Sequence, residues 1–132
     1  MRGGCGLYKE YTVNTDLNLS LWFERSKTTG WGLFNGKDGI GPNVNIKHSN
    51  GKEENRLKSN SYPIKKGTVV TTYTGGGGGF GDSYDRDPRN VLEDVINGLV
   101  SIEKAKKDYK VIISGNMSID YSKTNDLRSK NN

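Results

Sequence analysis

The chain has 132 residues, 18 of them glycine, with 31% hydrophobic residues and a mean hydropathy of −0.79. That length holds one small domain and excludes two; because glycine costs the most backbone entropy and buries the least apolar area, the composition predicts a piece that is marginal alone or packs on something larger. The net charge of +5 and the pI of about 9.3 come from lysines scattered among acids, without an arginine cluster or a basic stripe, which describes a solvated surface and argues against nucleic acid as a partner.

Cys5 is the only cysteine and His48 the only histidine. An internal disulfide and a thiolate zinc cluster are therefore excluded. A nucleophile–base pair would rest on Cys5 and His48, and nothing in the sequence places them together or gives either a partner. There is no secretory leader and no apolar run of the roughly 18 residues that a membrane span needs, so a cytoplasmic location without membrane association is expected.

In chain order, Met1-Arg-Gly-Gly-Cys-Gly opens onto Leu7 to Val13, which alternates in polarity and reads as a strand. Asn14-Thr15-Asp16 is a turn signal. Leu17, Leu19, Leu21 and Phe23 then share one face of a second, strongly alternating strand. The three-residue connection predicts an antiparallel hairpin of these two strands. Residues 30–43 carry five glycines with Trp31 and Phe34, the two aromatics expected to anchor the loop to the core. Val44 to Ile46 is a short strand, Asn50-Gly51 a turn, Asn55 to Tyr62 polar and extended, and Thr68 to Tyr73 a β-branched strand.

The stretch from Thr74 to Pro88, T-G-G-G-G-G-F-G-D-S-Y-D-R-D-P, divides this β-rich half from a helical one. Asp87-Pro88 is an N-cap followed by proline at the first helical position. Val91, Leu92, Val95 and Ile96 keep helical spacing, and Gly98 ends the helix. Ser101 caps a second helix, with Glu103 in its first turn and lysines near its end. Val111 to Ile113 is a short strand. Ser114 to Asn132 lacks apolar spacing and reads as a polar tail, frayed or bound to a partner. The expected fold is α+β: an antiparallel β-rich N-terminal half, a glycine-rich crossing, then two short helices and a strand over residues 1–113, as part of a larger domain, with 114–132 as the tail.

The glycine stretch invites a phosphate cradle, in which backbone amides at a helix start bind an anion. Gly76 and Gly81 have P-loop spacing, but Asp82-Ser83 follows where Lys-Ser or Lys-Thr is needed. The match of Gly76, Gly78 and Gly81 to G-x-G-x-x-G is trivial inside a glycine run. Asp82, Asp85 and Asp87 would repel phosphate. As cation ligands they lack the glycine and the closing glutamate of a calcium loop. The plainer reading is a tight backbone crossing, with Asp87 as a cap and Asp82 and Arg86 serving loop amides or each other. No catalytic, cofactor-binding or metal residue is assigned.

Gly76-Gly-Gly-Gly-Phe80-Gly-Asp82, Arg86-Asp-Pro88, Val91, Asp94-Val95, Gly98, Val100-Ser101, Ala105 and Tyr109, with Arg2-Gly-Gly, Gly6, Glu10-Tyr11, Trp31-Gly32-Leu33-Phe34, Gly36-Lys37, Pro42-Asn43 and Gly67 upstream, resemble the C-terminal end of the hydantoinase B/5-oxoprolinase family. The resemblance runs in register over about residues 2 to 113. It implies the last fifth or so of a large subunit: a fragment, a truncated frame or a separately encoded C-terminal piece. It implies partners, namely a hydantoinase A-like subunit and the missing N-terminal part of the large subunit. For the complete assembly it implies ATP, a divalent metal, and hydrolysis of cyclic amides such as 5-oxoproline or hydantoins. A ketone carboxylase subunit and a non-catalytic module that stabilises a partner are the alternatives. Ser83 stands where the family has proline. Lys110 stands where it has glycine, so no left-handed cap is expected after Tyr109. No metal or nucleotide ligand of the family maps onto this chain.

Overall fold

The computed structural model of the protein describes residues 1–129. The chain forms two compact units: one of residues 3–33 and 37–79, the other of Met1–Arg2, Phe34–Gly36 and the residues from Phe80 onward. The α+β class is as expected, with antiparallel sheets followed by helices.

In the first unit, β1 (Tyr8–Thr12), β6 (Val69–Tyr73), β3 (Asn43–Lys47) and β4 (Glu53–Asn55) form an antiparallel sheet in that order, and β2 (Leu17–Trp22) pairs with β5 (Lys58–Ile64) in a second sheet. Alternation sends Val44, Ile46 and Val70 inward to meet Val13, Leu21 and Ile64. Gly51, at φ 86°, makes the β3–β4 turn, with the Asn50 side chain accepting from the Lys52 amide. Between Leu19 and Leu21 the register shifts, and Ser61 bulges out at φ 51°.

The expected hairpin of the first two strands does not form. β1 pairs with β6 and β2 with β5. Asn14-Thr15-Asp16 instead carries the chain from one sheet to the other. Val13 exchanges hydrogen bonds with Thr68 and Gly67, and the Asp16 carboxylate accepts from the Lys65 ammonium and the Lys66 amide. Those bonds tie the connection to the β5–β6 turn, so β1 and β2 diverge. A three-residue polar link suits either path, and periodicity alone does not choose between them.

The glycines pack backbone against backbone. The amides of Gly76 and Gly79, three residues apart, donate to Ile40 and Lys37 on one neighbouring segment, while that of Gly77 donates to Gly4 on another. A period of three is that of an extended polyproline II-type helix, which has no internal hydrogen bonds and must pair outward. A Cβ on Gly3 would lie 2.1 Å from the Gly77 carbonyl oxygen, one on Gly39 2.4 Å from that of Gly76, and one on Gly78 2.1 Å from that of Trp31. Only hydrogen fits there. Contacts this close leave no pocket for large rings, and Trp31 is 65% exposed rather than an anchor. It carries the Arg25 guanidinium on its face.

In the second unit, α1 (Pro88–Ile96), α2 (Ile102–Tyr109) and α3 (Tyr121–Ser129) enclose Val91, Val95, Val100, Ala105, Val111 and Ile113. The Asp87 cap and Pro88 start α1, and Gly98 at φ 70° ends it. Ser101 caps α2 through the Lys104 amide. Lys110 closes that helix in the left-handed region (φ 54°, ψ 35°), so the cap survives without glycine. Phe34, also expected to anchor the core, is 74% exposed and instead meets Phe80, ring centroids 5.0 Å apart. Val111 to Ile113 makes one bridge, Ile113 to Ile119, rather than a strand. Beyond it the polar segment is ordered through Ser129. Thr124 of α3 is fully buried and accepts from the Ile112 amide, and Arg128 donates to the carbonyls of Arg86 and Tyr109. Residues 130–132 of the expected tail lie outside the described residues.

Gly78→Ala should lower stability by roughly 1–3 kcal/mol, because backbone must shift to admit the methyl. Gly4→Ala, which meets nothing within 4 Å, should change it by less than about 0.5 kcal/mol. Urea or thermal unfolding of the two variants beside the parent checks the contrast.

Candidate functional site

The groups of the Thr74–Pro88 stretch that a phosphate or cation site would use first are already engaged. The amides of Gly76, Gly77 and Gly79 are bonded to backbone carbonyls, so they do not point at a ligand. Asp82 accepts from the Tyr84 amide at 2.8 Å and begins a short 3-10 turn over Ser83–Asp85. Asp87 accepts from the Arg89 amide at 2.8 Å and grips the Arg89 guanidinium. The Arg89 side chain, and then its amide, hold the Asp87 carboxyl below the usual carboxylate range. Arg86 does not pair with Asp82; its Nη2 lies 2.7 Å from Asp94 Oδ2. Among the described residues no group of three or more His, Cys, Asp and Glu side chains is arranged to hold a metal ion. The bonded glycine amides and the capping Asp82 and Asp87 of this stretch therefore do not fit a phosphate cradle or a cation loop.

Beside this stretch, within the helical unit, lies a cleft of about 430 Å³ bordered by Arg2, Asp82, Asp85, Arg86 and Asn90. Its charge is organised by Asp94, which is 7% exposed and receives both Arg86 and Arg2, the latter at 3.0 Å. Two guanidiniums on one buried carboxylate satisfy a charge that burial would otherwise penalise. Arg86 also donates to the Asn90 carbonyl and lies 5.6 Å from the Tyr109 ring centroid. Asp94 sits on the inner face of α1 at a position that helical spacing makes apolar. An acid in that place signals a buried partner, though not which one.

The sheet unit holds a second cluster, one that local sequence reading does not find. His48 Nε2 lies 2.9 Å from Glu54 Oε1, the Tyr62 hydroxyl donates to the same oxygen at 2.6 Å, and Arg56 donates to the other at 3.3 Å. The Arg56 guanidinium also stacks over the Tyr62 ring at 4.1 Å. Together, and with Tyr62 contributing most, these donors depress the Glu54 carboxyl from the usual 4.5 to about 2. The β3–β4 pairing brings His48, which follows β3, to Glu54 of β4, and Tyr62 reaches them from β5 of the other sheet. Cys5, the other candidate nucleophile-or-base residue, is exposed.

The carboxylates of both clusters are thus held by donors of the same unit. Comparison with known proteins gives the family. A family model described as hydantoinase B/oxoprolinase matches residues 1–83. The chain belongs to the hydantoinase B/oxoprolinase family. A protein of Pseudomonas sp. (strain NS671), named as the B-type subunit of a D-/L-hydantoinase, is 33% identical over 129 residues, covering 96% of this chain and 22% of that one. The acetophenone carboxylase delta subunit of Aromatoleum aromaticum (strain DSM 19018 / LMG 30748 / EbN1) is 37% identical over 82 residues, 60% of this chain and 12% of that one. The crystal structure of an ATP-dependent caprolactamase from Pseudomonas jessenii superimposes with a TM-score of 0.63 at 29% identity, over 94% of this chain and 22% of that one. The chain therefore spans about a fifth of the length of the family members it matches.

Two outcomes follow from the paired charges. Asp94→Ala leaves Arg86 buried without its carboxylate and should cost roughly 3 kcal/mol, read as a lower urea midpoint. The depressed Glu54 carboxyl contributes stability that is complete above pH 4.5 and is lost as the pH falls through about 2. In Glu54→Gln the unfolding midpoint should consequently fall less steeply between pH 4.5 and 2 than in the parent; parallel curves would remove the cluster's role.

Proposed function

We propose that this chain is the C-terminal piece of a hydantoinase B/5-oxoprolinase-type large subunit, and that the complete assembly hydrolyses cyclic amides such as 5-oxoproline or hydantoins at the expense of ATP. The observation that carries the reading is the pair of coverages: nearly the whole chain matches a B-type hydantoinase subunit, of which it is 22%. A chain of this extent supplies scaffold, and the remaining four-fifths, with a hydantoinase A-like subunit, supply the reacting groups. Caprolactam is itself a cyclic amide, so the caprolactamase likeness supports the same bond class. In the complete assembly ATP would supply the phosphoryl group that activates the amide oxygen, with a divalent metal as its counter-ion.

A second reading, part of a ketone carboxylase subunit, is favoured by the similarity to the acetophenone carboxylase delta subunit. Both readings place the work in the cytoplasm. Among the described residues no helix is long and apolar enough to cross a membrane.

The test is a chimera in which this chain replaces the matching region of the B-type subunit of the Pseudomonas hydantoinase, combined with that enzyme's A-type subunit. ADP release dependent on hydantoin or 5-oxoproline is expected from the chimera and not from the chain alone. Turnover by the isolated chain would overturn its role as scaffold without a complete active site, and bicarbonate- and ketone-dependent ADP release in place of lactam-dependent release would overturn the hydrolase reading.

A further inference from the structure

The sheet unit carries an apolar groove that its own side chains do not close. Its volume is about 430 Å³, and it is lined by Tyr11 and Val13 at β1, by Leu17, Leu19 and Leu21 of β2, and by Val70 of β6. Val13, Leu21 and Val70 form a buried floor at 7%, 6% and 4% exposure, while Tyr11 and Leu17 stand on the rim at 53% and 40%. The period-2 alternation of both strands aims these residues at one place. Among the described residues β1 is at the end of its sheet and β2 borders only β5, so each strand keeps an edge that none of them pairs. Unpaired edges beside an apolar groove accept an extended segment, with main-chain bonds along the edge and alternate side chains in the groove.

The groove is poorly suited to other occupants. A polar small molecule needs free, placed hydrogen-bonding groups. Here the Thr74 hydroxyl already accepts from the Leu7 amide at 2.7 Å and that of Thr72 points at the Lys9 carbonyl at 3.4 Å, so the polar groups left on the lining are the Lys9 ammonium and the Tyr11 hydroxyl at the β1 side, against an otherwise apolar wall. A second copy of the chain in a two-fold dimer would set the same concave surface against itself, and a groove does not fill a groove. In the family members that the chain matches, by contrast, this region is about a fifth of a longer chain, and the other four-fifths provide a neighbour in every molecule.

We infer that the groove between β1 and β2 is the docking site for an extended apolar segment from the rest of the large-subunit polypeptide. The inference rests on the assembly reading above, and it deepens that reading by naming the surface.

The chimera with the Pseudomonas hydantoinase tests it by amide hydrogen exchange, independently of turnover. Residues 8–12 and 17–22 should exchange at least tenfold more slowly in the chimera than in the isolated chain. Leu17→Glu and Tyr11→Glu, at rim positions exposed in the isolated chain, should leave its far-UV circular dichroism unchanged and abolish that protection. Asn18→Glu, on the opposite face of β2, should retain it. An active chimera without slowed exchange in these strands, or with protection that survives Leu17→Glu, overturns the groove and leaves the assembly reading standing. Slowed exchange that Leu17→Glu abolishes, in a chimera without lactam-dependent turnover, supports the groove and overturns the hydrolase reading instead.

Discussion

The sheet unit depends on backbone reaching backbone. Where a Cβ would meet a carbonyl oxygen at little more than 2 Å, at Gly3, Gly39 and Gly78, the segments touch only because they lack side chains. Their cohesion comes from amide–carbonyl bonds such as Gly76 to Ile40 and Gly77 to Gly4, with little apolar area. Each such bond is modest in net terms, while leaving one unmade in a packed place is expensive. The arrangement is therefore intolerant of change rather than strongly stabilising. It also consumes the amides that a phosphate cradle would need, so the same constraint that builds the crossing removes its most obvious chemistry.

What can be read from the sequence follows from the range of the interactions involved. Asp87-Pro88, Ser101 and Gly98 act within one helical turn, and each does in the structure what its position predicts. β1, β2, β3 and β6 likewise fall where the sequence puts them, whereas β4 lies outside the expected strands and Val111 to Ile113 makes a bridge in place of a strand. Strand partners are not legible because Asn14-Thr15-Asp16 is held by residues some fifty positions away, Lys65 and Lys66. Trp31 and Phe34 are misplaced by the rule that large rings go inside. The rule fails where glycine segments pack backbone against backbone too closely to admit a ring. Helix α3 escapes detection because its inward side chain is a threonine with a backbone partner, and its tether is an arginine reading carbonyls, so it leaves no apolar stripe.

The candidate site divides along the same line. The engagement of Asp87 is local and legible. The four-residue network around Glu54 lies within residues 48–62, and its members are ordinary polar residues in the sequence; the β3–β4 turn and the approach of β5 from the other sheet make them neighbours. Asp94 carries a partial signal, an acid at a core position of α1, but its two arginines come from the chain start and from the turn before the helix. The long composite signature around the glycines reports family membership well because so many of its positions are fixed by backbone geometry. For the same reason it says little about which atoms react.

Scarce apolar residues normally go where they are most needed, which is inside. Here Tyr11 and Leu17 remain on the surface although the chain has few such residues to spare. The sheets close around Val13, Leu21, Val44, Ile46, Ile64 and Val70 without them, and the outer part of one alternating face of β1 and β2 is left to meet something else. Leaving it in water forfeits roughly 25 cal/mol for each Å² that burial would remove from solvent, a standing loss in the isolated chain that becomes a gain on contact. A surface built this way ties stability to assembly, since the residues that would complete the core of a self-sufficient domain are the ones turned outward.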